Sequence, residues 1–508
     1  MSLFTIYTRA CIGIQAPKVD VEVHISNGMP CFTLVGLPEA TVKEAKDRVR
    51  SALINCGFSF PSKKITINLS PADLPKEGSR FDLPIAIAIL AASQQIKSDN
   101  LHQYEFIGEL ALSGEVRAIK GAIPAALSAQ DAARKLILSD ENGAEISLIH
   151  NNSVLVCNHL SDIYRYFSEG IDLHKVEYSV ASNLHESIND LQDIIGQQHA
   201  KRALEIAAAG AHNLLLIGPP GTGKTMLASR LADLLPPLNE QESLETAAII
   251  SLANQHQTIN NWHTRPFRAP HHSASMTALV GGGAIPKPGE ISLANNGVLF
   301  LDELPEFNRK VLDALREPLE SGEIIISRAN AKVTFPAKVQ LIAAMNPSPT
   351  GHYQGIHNRT SPQQVMRYLN RLSGPFLDRF DLSIEVPLLP KGALSQHNEH
   401  GESTQTVKQR VLLARNKQLT RNNGKVNSEL SPSDINKYCH LSDEDNQFLE
   451  QALIKLGLSA RAWHRILKVS RTIADLDDKK NIERKHITEA LSYRSMDKLL
   501  IQLHKNIG

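Results

Sequence analysis

The eight residues Gly218-Pro219-Pro220-Gly221-Thr222-Gly223-Lys224-Thr225 constrain this chain more than any other stretch, because they follow the apolar run Leu214-Leu215-Leu216-Ile217 and lead into a helix-like segment at 226–231. A glycine-rich loop between strand and helix turns successive backbone N–H groups toward a polyphosphate, and the helix N-terminus adds its positive end. Lys224 then reaches the β- and γ-phosphates, and the Thr225 hydroxyl can hold Mg²⁺. A plain Gly/Pro-rich turn is the alternative, and the complete pattern in this strand, loop and helix setting argues against it. The expected cofactors are ATP and Mg²⁺.

The 508 residues suffice for about three domains. With 42% hydrophobic and 21% charged residues, the composition is that of a globular protein rather than a disordered or fibrous one. A formal charge of +1 gives no general attraction to phosphate, so a nucleic-acid partner requires basic residues gathered on one surface. The cysteines Cys11, Cys31, Cys56, Cys157 and Cys439 lie far apart, which points to reduced thiols and a cytoplasmic location. No basic segment leading into an apolar stretch opens the chain, and the best apolar run, 83–92, is too short to span a bilayer. Neither a membrane partner nor export is expected.

Residues 12–167 mix β-branched runs at 19–25 and 64–69 with helical patterns at 39–55 and 84–93, as in a compact α/β or α+β domain. The polar stretch 179–189 marks a boundary. Strand-like runs at 214–217, 247–251, 298–301, 339–344 and 382–386 then alternate with helices, which argues for a parallel sheet whose loops carry the site. A Pro/Gly/His/Ser-rich tract at 390–404 reads as a linker. Helical patterns follow at 407–419, 443–456, 462–474 and 484–493, with Ser431 and Ser442 as helix starts. The expected fold class is therefore α/β, divided into a domain at 1–170, a linker at 171–190, a phosphate-loop ATPase domain at 191–395, and a linker with a helical lid at 396–508.

Further runs complete a candidate nucleotide site. Gly297-Val298-Leu299-Phe300-Leu301-Asp302-Glu303 is a buried-strand run ending in two acids. Asp302 would hold Mg²⁺ through its water shell, and Glu303 would orient the attacking water. Alone such a pair is more often a solvated turn, but downstream of a phosphate loop the catalytic reading is favoured. Val339-Gln340-Leu341-Ile342-Ala343-Ala344-Met345-Asn346 ends in an amide suited to sensing the γ-phosphate, although Asn-Pro also opens turns. Arg379 either pairs with Asp378 or Asp381 or points out of the subunit as a finger into a neighbour's site. Arg461 stands at a helix start, where a solvated arginine is the simpler alternative.

These elements, in this order, resemble an AAA+ ATPase of the magnesium-chelatase-like branch, which is also similar to the replicative MCM helicases. The resemblance implies that Lys224 and Thr225 are Walker A, with Gly218, Pro219, Pro220, Gly221, Thr222 and Gly223 cradling the nucleotide. It makes Asp302 and Glu303 Walker B, Asn346 sensor 1, Arg379 the arginine finger and Arg461 sensor 2. Ile194 and Ile195, within 193–197, would pack against adenine. It also implies a homo-hexameric ring, because the finger must come from the next subunit.

Two insertions point toward DNA. Residues 323–335 have two β-rich arms around a four-residue polar turn, so they read as a hairpin before the sensor strand, with Arg328 and Lys332 at its tip. Arg265-Pro266-Phe267-Arg268-Ala269-Pro270-His271-His272 interrupts the expected helix before Walker B and leads toward Gly281-Gly282-Gly283, where glycine permits mobility. In the resembling family both insertions line the central pore, which makes Arg268, His271, His272, Arg328 and Lys332 candidate DNA contacts. Solvated turn residues are the alternative. Adjacent histidines rarely converge on one ion. The tract 347–355 also lacks the cysteines that some relatives place there, which argues against zinc.

The segments 268–272, 288–294 and 296–307 resemble the bacterial ComM/YifB family, and the likeness extends over nearly the whole chain. That resemblance implies an ATP-driven DNA motor promoting branch migration on single-stranded or branched DNA during recombination and natural transformation, with recombinase proteins as further partners. Residues 74–86 and 106–116 resemble the proteolytic domain of Lon proteases, an α+β domain of the ribosomal S5 type. The serine position falls on Arg80 and the lysine position near Ile123, with Ser79 one place early, so peptidase chemistry is not expected. Arg80, Lys76 and Lys43 are candidates for contacts with DNA or neighbouring subunits. Competing readings are an ATP-dependent protein remodeller or protease, a metal-chelatase-type ATPase subunit, and an ATP-switched DNA scaffold.

Overall fold

The computed structural model describes residues 2–36, 42, 44–179, 190–253, 262–283, 286–328, 331–351, 360–390, 401–458 and 460–507, without the side chains of 328, 331, 460, 506 and 507. In the N-terminal region, Lys18–Ser26 and Lys64–Ser70 bury every second residue, which gives each strand one apolar face. Ser2–Arg9 and Lys64–Ser70 flank Lys18–Ser26 in antiparallel register, and Cys31–Val35 closes that edge in parallel. Beyond Ser2–Arg9 come the parallel strands Tyr104–Phe106, Lys135–Ser139 and Val154–Cys157, then antiparallel His174–Lys175. Helix Asp82–Ala92, buried all round, packs between this sheet and helix Ala45–Asn55.

The second sheet is parallel throughout, in the order Phe267–Arg268, Val298–Leu301, Gln340–Met345, Leu214–Ile217, Leu382–Glu385. Three of its central strands are wholly buried, as their unbroken apolar runs require. Two expectations are corrected here. Residues 247–251 lie within helix Glu240–Ala253, because a short apolar run looks the same in a buried helix as in a buried strand. The vacant strand position is taken by Phe267–Arg268, so the 265–272 tract forms the edge of the sheet instead of interrupting a helix.

Gly281–Gly282 pairs with Lys287–Pro288, and a Cβ at Gly281 would lie 2.5 Å from the Lys287 carbonyl oxygen and 2.9 Å from Ile326 Cδ1. Glycine there serves close approach to the hairpin arm rather than mobility. The hairpin itself pairs Glu323–Arg328 with Ala331–Pro336, its last pair being Arg328 with Ala331, while the expected turn between them lies outside the described residues.

The lid comprises Thr404–Arg421, Pro432–Tyr438, Asp443–Lys455, Ala460–Leu476 and Arg484–Ser492, with Ser431 and Ser442 capping their helices through side-chain oxygens. A further helix, Ser495–Ile507, returns to the ATPase sheet beside Pro362–Leu369 and Leu382–Glu385. The first lid helix starts before residue 407, and its first turn is tied back. The Asp190 carboxylate accepts from Thr404 N at 2.6 Å and Thr404 Oγ1 at 3.0 Å, while the Asp190 carbonyl accepts from Arg230 Nε at 3.2 Å.

The N-terminal sheet is docked on the ATPase through helix Ala122–Asp131 against Glu240–Ala253. Ile123, Ala126, Ala247, Ala248 and Trp262 share one apolar cluster there. Gly121 N donates to the Ser251 carbonyl at 3.1 Å, and Ser251 Oγ donates to Glu145 at 2.6 Å. Among the described residues, no helix is long and apolar enough to cross a membrane.

Candidate functional site

The phosphate loop leaves the sheet where three strand ends meet, since Ile217 pairs with both Met345 and Glu385. Gly218 N donates to the Met345 carbonyl at 3.1 Å, and a Cβ at Gly218 would lie 2.3 Å from the Val386 carbonyl oxygen. Only glycine fits. Gly221 and Gly223 adopt φ of 78° and 81° with open space around them, which aims the loop's N–H groups outward at the start of helix Lys224–Leu234.

Lys224 Nζ donates to the carbonyls of Gly218 (2.9 Å) and Pro219 (2.8 Å) and to Asn346 Oδ1 (3.2 Å). Burial lowers its pKa, and the nearby Asp302 carboxylate opposes that shift. Thr225 Oγ1 donates to Asp302 Oδ2 at 2.8 Å, and the other Asp302 oxygen accepts from Glu303 N at 2.8 Å. Thr222 Oγ1 donates to the Pro219 carbonyl at 3.0 Å, closing the loop on itself beside the exposed Pro220.

Glu303 sits in the left-handed region at φ 51°, a strained conformation for a residue with a side chain. Its carboxylate is 2.9 Å from His272 Nδ1. The structure thus brings Lys224, Thr225, Asp302, Glu303 and Asn346 together at adjoining strand ends and adds His272, which the sequence had pointed at DNA. The His271 ring lies tilted against His272 with centroids 4.1 Å apart, and His271 bonds Ser273 Oγ at 2.8 Å. Arg268 holds Glu290 through two bonds of 2.7 and 2.8 Å, an intramolecular fork that occupies the guanidinium proposed for DNA. Lys332 is exposed opposite Ser327, whereas the Arg328 side chain lies outside the described residues.

Of the two isoleucines expected at adenine, Ile194 belongs to the core, so Ile195, 42% exposed, is the one that presents surface. Gln197 Nε2 fixes this segment to the Pro387 carbonyl at 2.7 Å.

Arg379 pairs with neither Asp378 nor Asp381. Its partner is Glu320, at 2.7 Å, and among the described residues its buried Nε has no hydrogen-bond partner. Asp378 is held by Arg461 (3.4 Å) and Arg465 (3.3 Å). Asp381 is half-buried, and its desolvation alone would raise its pKa, but His212 at 3.4 Å holds it below the ordinary value, and the other nitrogen of that ring bonds Thr472 in the lid at 2.8 Å. Asn213 ties the same loop to the strand Gln340–Met345, donating to the Arg379 carbonyl at 2.8 Å and accepting from Leu341 N at 2.8 Å. Arg379, Arg461, Arg465 and Lys468 line one cleft of about 310 Å³ together with Glu320, and no residue of the phosphate loop is among its described walls. Sequence spacing carried no signal for Glu320, Asn213 or Arg465.

In the N-terminal domain, Ser79 Oγ donates to the Glu109 carboxylate. Lys76 is fully buried, its Nζ on the carbonyls of Gly36 (3.0 Å) and Pro71. Arg80 is also buried and donates to the Lys120 carbonyl at 2.8 Å. Both are thereby removed as contacts for DNA or neighbouring subunits, while Lys43 lies outside the described residues.

A lysine resting on carbonyls it can leave, a Thr–Asp pair, and two left-handed glycines facing open space all suit ATP with Mg²⁺. This parallel sheet, with its phosphate loop and paired acids at adjoining strand ends, defines an ATPase of the AAA+ class that uses ATP with Mg²⁺. Three family models match in succession: "Subunit ChlI of Mg-chelatase" at 21–142, "Magnesium chelatase, subunit ChlI" at 190–394 and "Magnesium chelatase, subunit ChlI C-terminal" at 401–494. The chain is 62% identical over 507 residues to Competence protein ComM of Haemophilus influenzae, covering 99% of each. It is 59% identical over 507 residues to the uncharacterized protein YifB of Escherichia coli K12, again covering 99% of each. A more distant likeness, 20% identity over 500 residues, joins 87% of this chain to 56% of the DNA replication licensing factor Mcm6 of Drosophila melanogaster. The chain belongs to the ComM/YifB family of magnesium-chelatase-like AAA+ proteins.

Proposed function

We propose that this protein is an ATP-driven motor, a homo-hexameric ring acting as helicase or branch migration factor on single-stranded or branched DNA in recombination and natural transformation. The observation that carries the reading is the placement of Arg379 and Arg461 in one cationic cleft away from their own phosphate loop. Such a cluster suits the terminal phosphate of a nucleotide held by an adjacent copy, so each copy completes its neighbour's site. The printed names of the Haemophilus and Drosophila relatives, a competence protein and a replication licensing factor, favour DNA as the substrate. Residues 1–170 then form a scaffold without peptidase activity, 191–395 the motor and 396–508 its lid.

Bound ATP with Mg²⁺ supplies the phosphoanhydride whose hydrolysis drives the cycle. Lys224, Thr225, Asp302 and the loop N–H groups hold it, with Ile195 against the base. Lys224 exchanges its carbonyl partners for phosphate oxygens. Glu303 orients and polarises the attacking water once it parts from His272, and Asn346, already bonded to Lys224, registers the change at the end of the strand that follows the hairpin. Lys332 would track DNA phosphates, as would Arg328 on the opposite arm.

Mixing Lys224→Ala with Arg379→Ala protein tests the shared site. Each variant alone should be inactive, and mixed rings should regain part of the wild-type ATP turnover; no recovery would reject it. ATP turnover with and without DNA, and strand displacement from a branched substrate, test the partner. Assembled rings that neither bind DNA nor respond to it would exclude a DNA motor.

A further inference from the structure

The strands Ser2–Arg9 and Lys18–Ser26 are joined by a loop that outruns their pairing and ends in a tight turn. Ala10 N donates to the Pro17 carbonyl at 2.9 Å, and Ile12 and Gln15 exchange two backbone bonds of 3.1 Å. At the tip, Gly13 has φ 60°, and a Cβ there would stand 2.4 Å from Val333 Cγ1 and 3.6 Å from the Thr334 carbonyl oxygen. Both of those residues belong to the second arm of the hairpin. Ile12 and Ile14, on either side of the glycine, pack into the cluster that holds Ile326, Val333 and Phe335 of the same hairpin. Behind the turn, a Cβ at Gly121 would meet Cys11 Sγ at 2.9 Å and Leu252 Cδ2 at 3.1 Å, so the loop is wedged between the hairpin and the end of helix Glu240–Ala253.

A two-stranded hairpin is marginal by itself in water, and this one depends on neighbours to cover Ile324, Ile326, Val333 and Phe335. Its two ends lead to places where nucleotide state is read. Immediately before it, Pro318–Ser321 carries Glu320, the partner of Arg379; soon after it begins the strand that ends beside Asn346. The turn at 12–15 grips the hairpin between those two points. Because close-packed side chains transmit displacement rather than absorb it, the hairpin cannot shift without moving the N-terminal sheet or breaking this contact.

We infer that the turn at residues 12–15 is a latch through which the N-terminal domain restrains the hairpin and sets how far nucleotide state can move it. The inference rests on the reading of the hairpin as a moving finger. Two full-chain variants test it: Gly13→Ala drives a Cβ into Val333, and Ile14→Ser removes apolar contact while leaving the backbone free. In both, amide hydrogen exchange across 323–336 should quicken about tenfold, while Ser2–Arg9 and Lys18–Ser26 keep wild-type protection and DNA-free ATP turnover is unchanged. Val333→Ala, which removes the atom nearest Gly13, should return part of the protection to the Gly13→Ala chain. The stimulation of turnover by DNA should change in both single variants. Unchanged exchange at 323–336 in both overturns the latch, and faster exchange with unaltered DNA stimulation overturns its control of the motor. If wild-type protein ignores DNA, the DNA reading fails and the exchange data alone decide the latch.

Discussion

Two buried lysines in this chain make the same kind of bond to different ends. Lys76 in the N-terminal domain donates to the carbonyls of Gly36 and Pro71, and Lys224 in the ATPase domain donates to those of Gly218 and Pro219. Burial lowers the pKa of both. The difference lies in what surrounds them. Lys76 has no exposed surface, so its ammonium is a structural plug seated on two backbone carbonyls. Lys224 stands at a helix N-terminus beside glycines that face open space, with Thr225 paired to Asp302 next to it, so its carbonyl bonds are a resting position. A buried lysine becomes functional when a better acceptor can reach it.

Removing each amine separates the two roles. Lys224→Ala should lower ATP turnover at least about a hundredfold with the fold retained, as seen by steady-state phosphate release alongside circular dichroism. Glu303→Gln should cost about 10²–10⁴ in turnover while nucleotide binding, read by fluorescence titration, persists. Lys76→Met should leave turnover per folded molecule intact and destabilise the N-terminal domain by about 1–3 kcal/mol in urea unfolding; lost turnover at unchanged stability would contradict its structural role.

The burial of Lys76 also gives the N-terminal domain a pH response. The unfolded chain holds this proton more tightly than the folded one, so stability should rise with pH between the lowered folded value and the ordinary value near about 10.4. Lys76→Met should flatten that rise. His272→Ala, which frees Glu303, should raise DNA-free turnover a few-fold, and a fall would show that the imidazole assists the glutamate. Ser79→Ala should do least, changing stability by no more than about 1 kcal/mol and turnover not at all.

The positions of the phosphate loop, the two acids and Asn346 at strand ends were legible because a buried parallel strand is an unbroken apolar run, and each such run here stops at the residue that emerges from the sheet. The same logic misled at 247–251, where alanine and isoleucine cover a helix buried against another domain. Phe267–Arg268 escaped it because two residues carry no periodicity, although they place His272 beside Glu303. The spacing of Met496, Leu499 and Leu503 carries the signal for the final helix, whose buried face they form. Charge was the least readable property. Lys76, Arg80 and Arg268 look like surface cations in a string of letters, and their partners Gly36, Lys120 and Glu290 come from distant segments that spacing does not reveal.

Asp190 joins two parts of the ATPase at a single residue: its side chain holds the first turn of the lid, and its carbonyl holds Arg230 on the helix behind the phosphate loop. That makes it a fulcrum. Any tilt of that helix is passed directly to the lid, so loop and lid answer the nucleotide as one lever rather than as two separately hinged pieces.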